Sequence, residues 1–280
     1  MTGTGTQADP YIPTTLTEFI TAVGTEGAYV VLNRNLDAAD DPAYSGELTE
    51  RVEFMAAHVA GGGYIVRGVT VRAPHMIYVT DPCVVQDIDF RDWAHKKTVA
   101  GYATIQGYET GSSSDSSHLG DYFERCRFSL TIDCFDGNQL ATNFIDFHDC
   151  ALDIKLVGAG AFYCLNWTGF LRCTIRIDGI YSTYSNGVVT SCTFVRSALI
   201  LENVIGISRY YLFAYPSLTY SYIAYTQSYD ARLKVISGMG AQHSVVAVVE
   251  GQNADANGCT IGTIDQMKDK DWLTSVGFLP

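Results

Sequence analysis

The sequence predicts an all-β fold, a single right-handed parallel β-helix with a short α-helix capping its N-terminal end. Three observations carry this expectation. The first is composition: 47% of the 280 residues are hydrophobic and only 17% charged, with 26 Gly, 18 Tyr and 13 Phe. Such a chain buries a large core and is rich in β-formers and turns. The second is a recurring triplet. Cys126-Arg127-Phe128, Cys150-Ala151-Leu152, Cys173-Thr174-Ile175, Cys192-Thr193-Phe194 and Cys259-Thr260-Ile261 share one shape, as does Ile88-Asp89-Phe90, with Val66 lying 22 residues before Ile88. Steps of 19 to 24 residues between Cys126, Cys150, Cys173 and Cys192 match one coil of a solenoid. The third is strict alternation. Cys126, Phe128, Leu130 and Ile132 share one face of a strand, as do Leu171, Cys173, Ile175 and Ile177, with polar residues opposite. Parity slips at His148-Asp149, where a coil would bend between two strands.

The elements follow in order. Segment 1–27 is the N-terminal segment and cap. Thr15-Leu16-Thr17-Glu18 reads as a capping box, and Leu16, Phe19, Ile20 and Val23 fall on one helical face before Gly24 and Gly27 stop the helix. A solenoid end exposes core and backbone, so a helix laid across it meets a physical need. Segment 28–261 is the β-helix, beginning with the strand Ala28–Leu32. Insertions are expected near 40–62, where Leu48, Val52, Met55, Ala56 and Val59 are spaced for a helix over 48–60, and near 94–121, where 111–117 is Gly, Ser and Asp. Segment 262–280 is expected to cover the last coil with Trp272, Leu273, Val276 and Phe278.

Charge and cysteine spacing narrow the function classes. The net charge is −12 and Lys96-Lys97 is the densest basic pair, so nucleic acid is not an expected partner. The eight cysteines include no Cys-x-x-Cys, which leaves zinc and thioredoxin-type chemistry without support; no metal or cofactor is expected. No charged leader precedes an apolar run, no stretch is long and apolar enough to span a bilayer, and the sequon Asn166-Trp167-Thr168 reads as chance.

Ala8-Asp9-Pro10-Tyr11-Ile12, the Thr15–Val23 helix and Ala28-Tyr29-Val30-Val31-Leu32 with Asn35-Leu36-Asp37 resemble the opening of pectate-lyase-like β-helices. Asp271-Trp272-Leu273-Thr274-Ser275-Val276-Gly277-Phe278 resembles the close of some of them. Such domains occur in spikes, fibres and decoration proteins of tailed bacteriophages and in bacterial surface proteins. The resemblance implies a virion role by analogy of fold. On that reading the chain is a non-enzymatic structural subunit assembled in the host cytoplasm, a homotrimer that docks onto other virion proteins through Met1–Ile12 and contacts a host-surface glycan. Self-association or glycan contact would fall to Tyr210, Tyr211, Tyr215, Tyr220, Tyr222, Tyr225 and Tyr229, seven tyrosines in twenty residues.

Two alternatives remain. No nucleophile elbow, His-Glu-x-x-His, P-loop or EF-hand loop is present. A polysaccharide hydrolase or lyase would instead need paired outward carboxylates, for which Asp133, Asp146 and Asp149 are the candidates, beside Asp136, Asp153 and the group Asp87, Asp89 and Asp92. Arg172, Arg176 and Lys155 would serve a lyase, or form solvated ion pairs; His148 is a proton shuttle or a plain turn residue. The other alternative is a bacterial surface adhesin.

Overall fold

The computed structural model describes residues 1–80, 83–99, 101–107, 122–133, 140–157, 164–179, 189–203, 211–214, 217–225, 234–237, 241–248 and 258–278; for 140, 211–214, 225, 234–237 and 241–242 only the backbone is described. The chain forms a parallel β-helix with three faces. The second face stacks ten strands in succession from Leu36–Asp37 through Asp89–Lys96, Arg127–Asp133, Ala151–Val157 and Thr174–Asp178 to Val245–Val248 and Thr260–Thr263. The first face runs from Tyr29–Val31 to Ala241–Gln242, and the third from Val52–Phe54 to Lys234–Ser237. Every pairing between these strands is parallel. Strands Leu140–His148 and Leu165–Leu171 turn the corner from the third face to the first, bending at Phe144 and Trp167, whose φ values are +51° and +43°. First and third faces thereby join into one sheet of 15 strands among the described residues.

Stacked coils place like over like at the strand spacing of about 4.8 Å. On the first face Phe123, Phe147, Phe170 and Phe194 form a ring stack with centroids 5.6, 5.5 and 5.0 Å apart. On the second face Phe90 stacks on Phe128 at 4.9 Å, and the row continues inward as Leu152, Ile175, Leu199 and Ile223. Phe128 and Ile175 are among the residues whose alternation signals strands in the sequence; Leu171, expected on the face of Cys173, instead ends the first-face strand with Phe170 as its buried neighbour.

The N-terminal helix spans Leu16–Val23, with Thr15 as N-cap accepting from the Glu18 amide. The capping box is only half formed. The Glu18 carboxylate accepts from the Thr14 amide at 2.7 Å and pairs with the N-terminal amine instead of returning to Thr15. Leu16, Phe19, Ala22 and Val23 are fully buried, and Phe19 meets Phe54 of the first coil edge-on at 6.3 Å. At the other terminus, helix Lys270–Ser275 buries Leu273 and lays Trp272 against Gly262 on the outer side of the second face, where Phe278 also meets Tyr222.

Several expectations need correction. No helix forms over 48–60: Val52–Phe54 and His58–Ala60 are strands of the third and first faces. Val52, Phe54 and Ala56 are all buried, a period of two that the helical spacing obscures by skipping Phe54. Val66 stacks on Phe90, two residues beyond Ile88. Cys192 leaves the cysteine row. It lies at the corner between third and first faces, and Ser197 follows Cys173 in the row. The segment near 94–121 begins as ordered strand, Asp89–Lys96 and Ala103–Gln106, while 108–121 lies outside the described residues.

A candidate ligand groove at the first corner

The corner between the first and second faces is built from one repeated device. Asp87, Arg125, Asp149, Arg172, Arg196, Tyr220 and His243 occupy it in successive coils, all with left-handed φ between +46° and +56°. For a residue with a Cβ that conformation costs on the order of 1–2 kcal/mol. Two sets of hydrogen bonds offset it. Each corner amide donates to the carbonyl preceding the next corner: Arg125 to His148, Asp149 to Leu171, Arg172 to Val195 and Arg196 to Thr219, at 2.8–2.9 Å. The next residue points inward and is small and polarisable or polar: Cys126, Cys150, Cys173, Ser197, Ser221 and Ser244. Cys173 Sγ donates to the carbonyls of Phe147 and Leu171, and Ser197 Oγ bonds those of Phe170 and Val195. The same Oγ accepts the Cys173 amide at 3.0 Å, and the Ser221 and Ser244 hydroxyls accept the amides of Ser197 and Ser221. Hydrogen bonding to the neighbouring Cys150 thiol, with burial, pushes the Cys173 thiol far up, which disfavours its thiolate.

Outward, the same corners form a ladder of side chains. Asp87 holds Arg125 through two hydrogen bonds of 2.7 and 2.9 Å, and Asp149 holds Arg172 through two of 2.6 Å. Arg172 keeps the Asp149 carboxyl below its ordinary range. The next rung, Arg196, is exposed and has no carboxylate partner among the described residues. Beyond it Tyr220, 41% exposed, stacks on His243 with centroids 4.8 Å apart and planes 5° from parallel. Half-buried Tyr222 meets Phe278 edge-on at 6.3 Å. Arg196, Tyr220, Tyr222, His243 and Phe278 bound a groove of about 900 Å³, with Arg172 at one end. Gly277, at φ +73°, lets the C-terminal segment pass beside His243. The groove combines an exposed aromatic face, an apolar wall and an exposed guanidinium.

The predicted site residues fare unevenly. Tyr220 and Tyr222 line the groove, whereas Tyr211 belongs to the third-face strand Tyr211–Ala214 and Tyr225 ends the second-face strand Tyr222–Tyr225. Tyr210, Tyr215 and Tyr229 lie outside the described residues, as does Asp136. Asp149 is clamped by Arg172 and Asp146 accepts the Gly169 amide at 3.0 Å. Asp133 ends a strand six residues past Arg127, about 20 Å along an extended chain from the corner that holds Asp149. That separation exceeds the 5–9.5 Å that a glycosidase pair of Asp133 with Asp149 would require. His148 stacks on Tyr122 at 4.7 Å. Arg176 pairs with Glu202. Sequence reasoning missed Arg196 and His243. Their signal is a residue immediately before the Cys/Ser row, repeating every 23 or 24 residues from Arg125 to His243.

No family model matches the chain, and no curated protein matches it in sequence. Among solved structures it is similar to the crystal structure of a "putative immunoglobulin A1 protease" from Bacteroides ovatus, with 11% identity and a TM-score of 0.43 over 98% of this chain and 89% of that one. That likeness says nothing of this chain's activity. Among the described residues no helix is long and apolar enough to cross a membrane, and no group of three or more His, Cys, Asp or Glu could hold a metal ion.

Proposed function

We propose that this chain is a non-enzymatic β-helical display subunit whose first-corner groove contacts an anionic glycan on a host surface. One observation carries the reading: Arg196, which has no carboxylate partner among the described residues, beside the exposed Tyr220–His243 stack. A pyranose ring can lie on the aromatic face while its carboxylate meets the guanidinium, a pairing that Lys would not reproduce. The virion setting, as a homotrimeric spike, fibre or decoration subunit, is supported by the sequence resemblance alone, and in it Met1–Ile12 dock onto a neighbouring virion protein.

The test is an array of sialylated and uronate-bearing oligosaccharides. A charge-assisted hydrogen bond contributes about 1.5–3 kcal/mol, so Arg196→Gln should weaken binding roughly 10- to 100-fold with the melting temperature unchanged. An array in which no acidic glycan binds, or in which Arg196→Gln binds like the parent, overturns the reading. Reducing ends released from bound glycans would instead restore the depolymerase alternative. Light scattering should give three times the 30.6 kDa chain mass.

A further inference from the structure

A second concave site lies on the opposite flank of the molecule, near the N-terminal cap. It has a volume of about 570 Å³ and is bounded by Ile20, Arg51, Glu53, His75, Val99 and Tyr102. His75 follows Pro74 into the strand Ile77–Val79 and is only 5% exposed. Its Nδ1 lies 2.8 Å from the Ala103 carbonyl. A carbonyl only accepts, so Nδ1 carries the proton and the neutral ring presents Nε2 as an acceptor. Burial pushes the His75 pKa down, which keeps the ring neutral. The ring is fixed between Tyr78 and Tyr102, each with its centroid 5.0 Å away.

Arg51 supplies the donors. Its guanidinium carbon stands 4.0 Å from the centroid of the Tyr78 ring, and Nε and Nη2 donate to one oxygen of Glu53 at 2.8 and 2.5 Å. The guanidinium is thereby held flat and oriented. Tyr102, 45% exposed, forms an aromatic wall, and Val99 and Ile20 extend it. The Lys97 ammonium, buried behind this wall, donates to the Tyr102 carbonyl at 2.7 Å and fixes that segment.

Charge then selects the ligand. Glu53 neutralises Arg51 and Glu50 adds a carboxylate at the rim, so an anion gains nothing here. The Lys97 ammonium behind the wall offsets that added carboxylate, so a cation gains nothing either. What remains is an uncharged molecule with hydroxyls that donate and accept and a C–H face that lies on an aromatic ring. We propose that this pocket is a binding site for a neutral hexopyranose, with the sugar on Tyr102, a hydroxyl donating to His75 Nε2 and others meeting Arg51 and Glu53. It is independent of the first-corner groove and differs from it in ligand charge.

The test is saturation-transfer NMR and calorimetry on the full chain with methyl glycosides of glucose, galactose, mannose and N-acetylglucosamine. At least one should bind, and Tyr102→Ala should weaken it tenfold or more. Tyr102 projects from the surface, so this variant should melt like the parent; His75→Gln, which keeps hydrogen-bonding capacity but moves the acceptor, should weaken binding as well. Arg196→Gln should leave neutral-sugar binding unchanged, and Tyr102→Ala should leave acidic-glycan binding unchanged. The two sites can therefore fail separately. Failure of all four glycosides to bind, or full binding by Tyr102→Ala, overturns the proposal.

Discussion

At the first corner one inward position supports the bend in most coils. From Cys126 to Ser244 the side chain there is a small thiol or hydroxyl, and Ser197 donates to a carbonyl and accepts an amide from the preceding coil; in the first of these coils Ile88 fills the place beneath Asp87 with apolar bulk alone. Cysteine fills the position in the coils of Cys126, Cys150 and Cys173 and serine in those of Ser197, Ser221 and Ser244, the thiol with longer, weaker bonds. Cys150→Ser should therefore fold normally, with a change in stability under about 1 kcal/mol. Cys150→Val keeps the volume but removes the thiol's bonds to the carbonyls of Phe123 and His148 and leaves the buried amide of Cys126 without the sulfur that accepts it, and should cost about 1–3 kcal/mol. Urea midpoints of the two variants check this. The cysteines are conspicuous in the sequence and expose the row. The serines are not, and so Cys192 was a natural but mistaken member: a triplet read by identity cannot tell a corner of the first face from a corner of the third.

At the scale of elements, short segments are legible when their period is unambiguous. The helix Leu16–Val23 has its cap, its apolar stripe and its glycine stop in eight to ten residues, and it forms as expected. It contributes by covering the first coil, so Phe19→Ala, which empties a fully buried site against Phe54, should cost about 3–5 kcal/mol. Denaturant unfolding should show the loss, and hydrogen exchange should quicken first in Tyr29–Val31. Segment 48–60 shows the converse. Strands of three residues separated by a bend are too short to display their alternation, and buried residues on both sides of the bend mimic a helical spacing.

At the scale of the whole molecule, burying polar groups between coils couples stability to pH. His95 is fully buried; its Nε2–H donates to the Ala73 carbonyl and its Nδ1 accepts from Thr104. Burial pushes its pKa down to about 3. The unfolded chain takes up a proton below about 6.5 while the folded chain does not, so this stability is complete above that pH and is lost as pH falls toward 3. His75 acts in the same direction. A shift of that size corresponds to roughly 5 kcal/mol for His95, and thermal melts between pH 7 and pH 4 should show a steep decline that His95→Gln reduces.

The sequence by itself determined the class of fold, the capping helix and part of the inward rows, because each is written in local periodicity: two for a strand, 3.6 for a helix, about twenty to twenty-four for a coil. Tertiary structure alone decided which residues meet across coils. Whether an arginine is paired depends on the rung above it: Asp149 neutralises Arg172, and no described carboxylate reaches Arg196. The groove and the His75 pocket each gather residues from coils tens of residues apart, over distances fixed by the stacking of the backbone. The tyrosine-rich stretch pointed to part of that groove; Arg196 and His243 share the coil repeat of its Tyr220, but only the stacking brings them and Phe278 together around it.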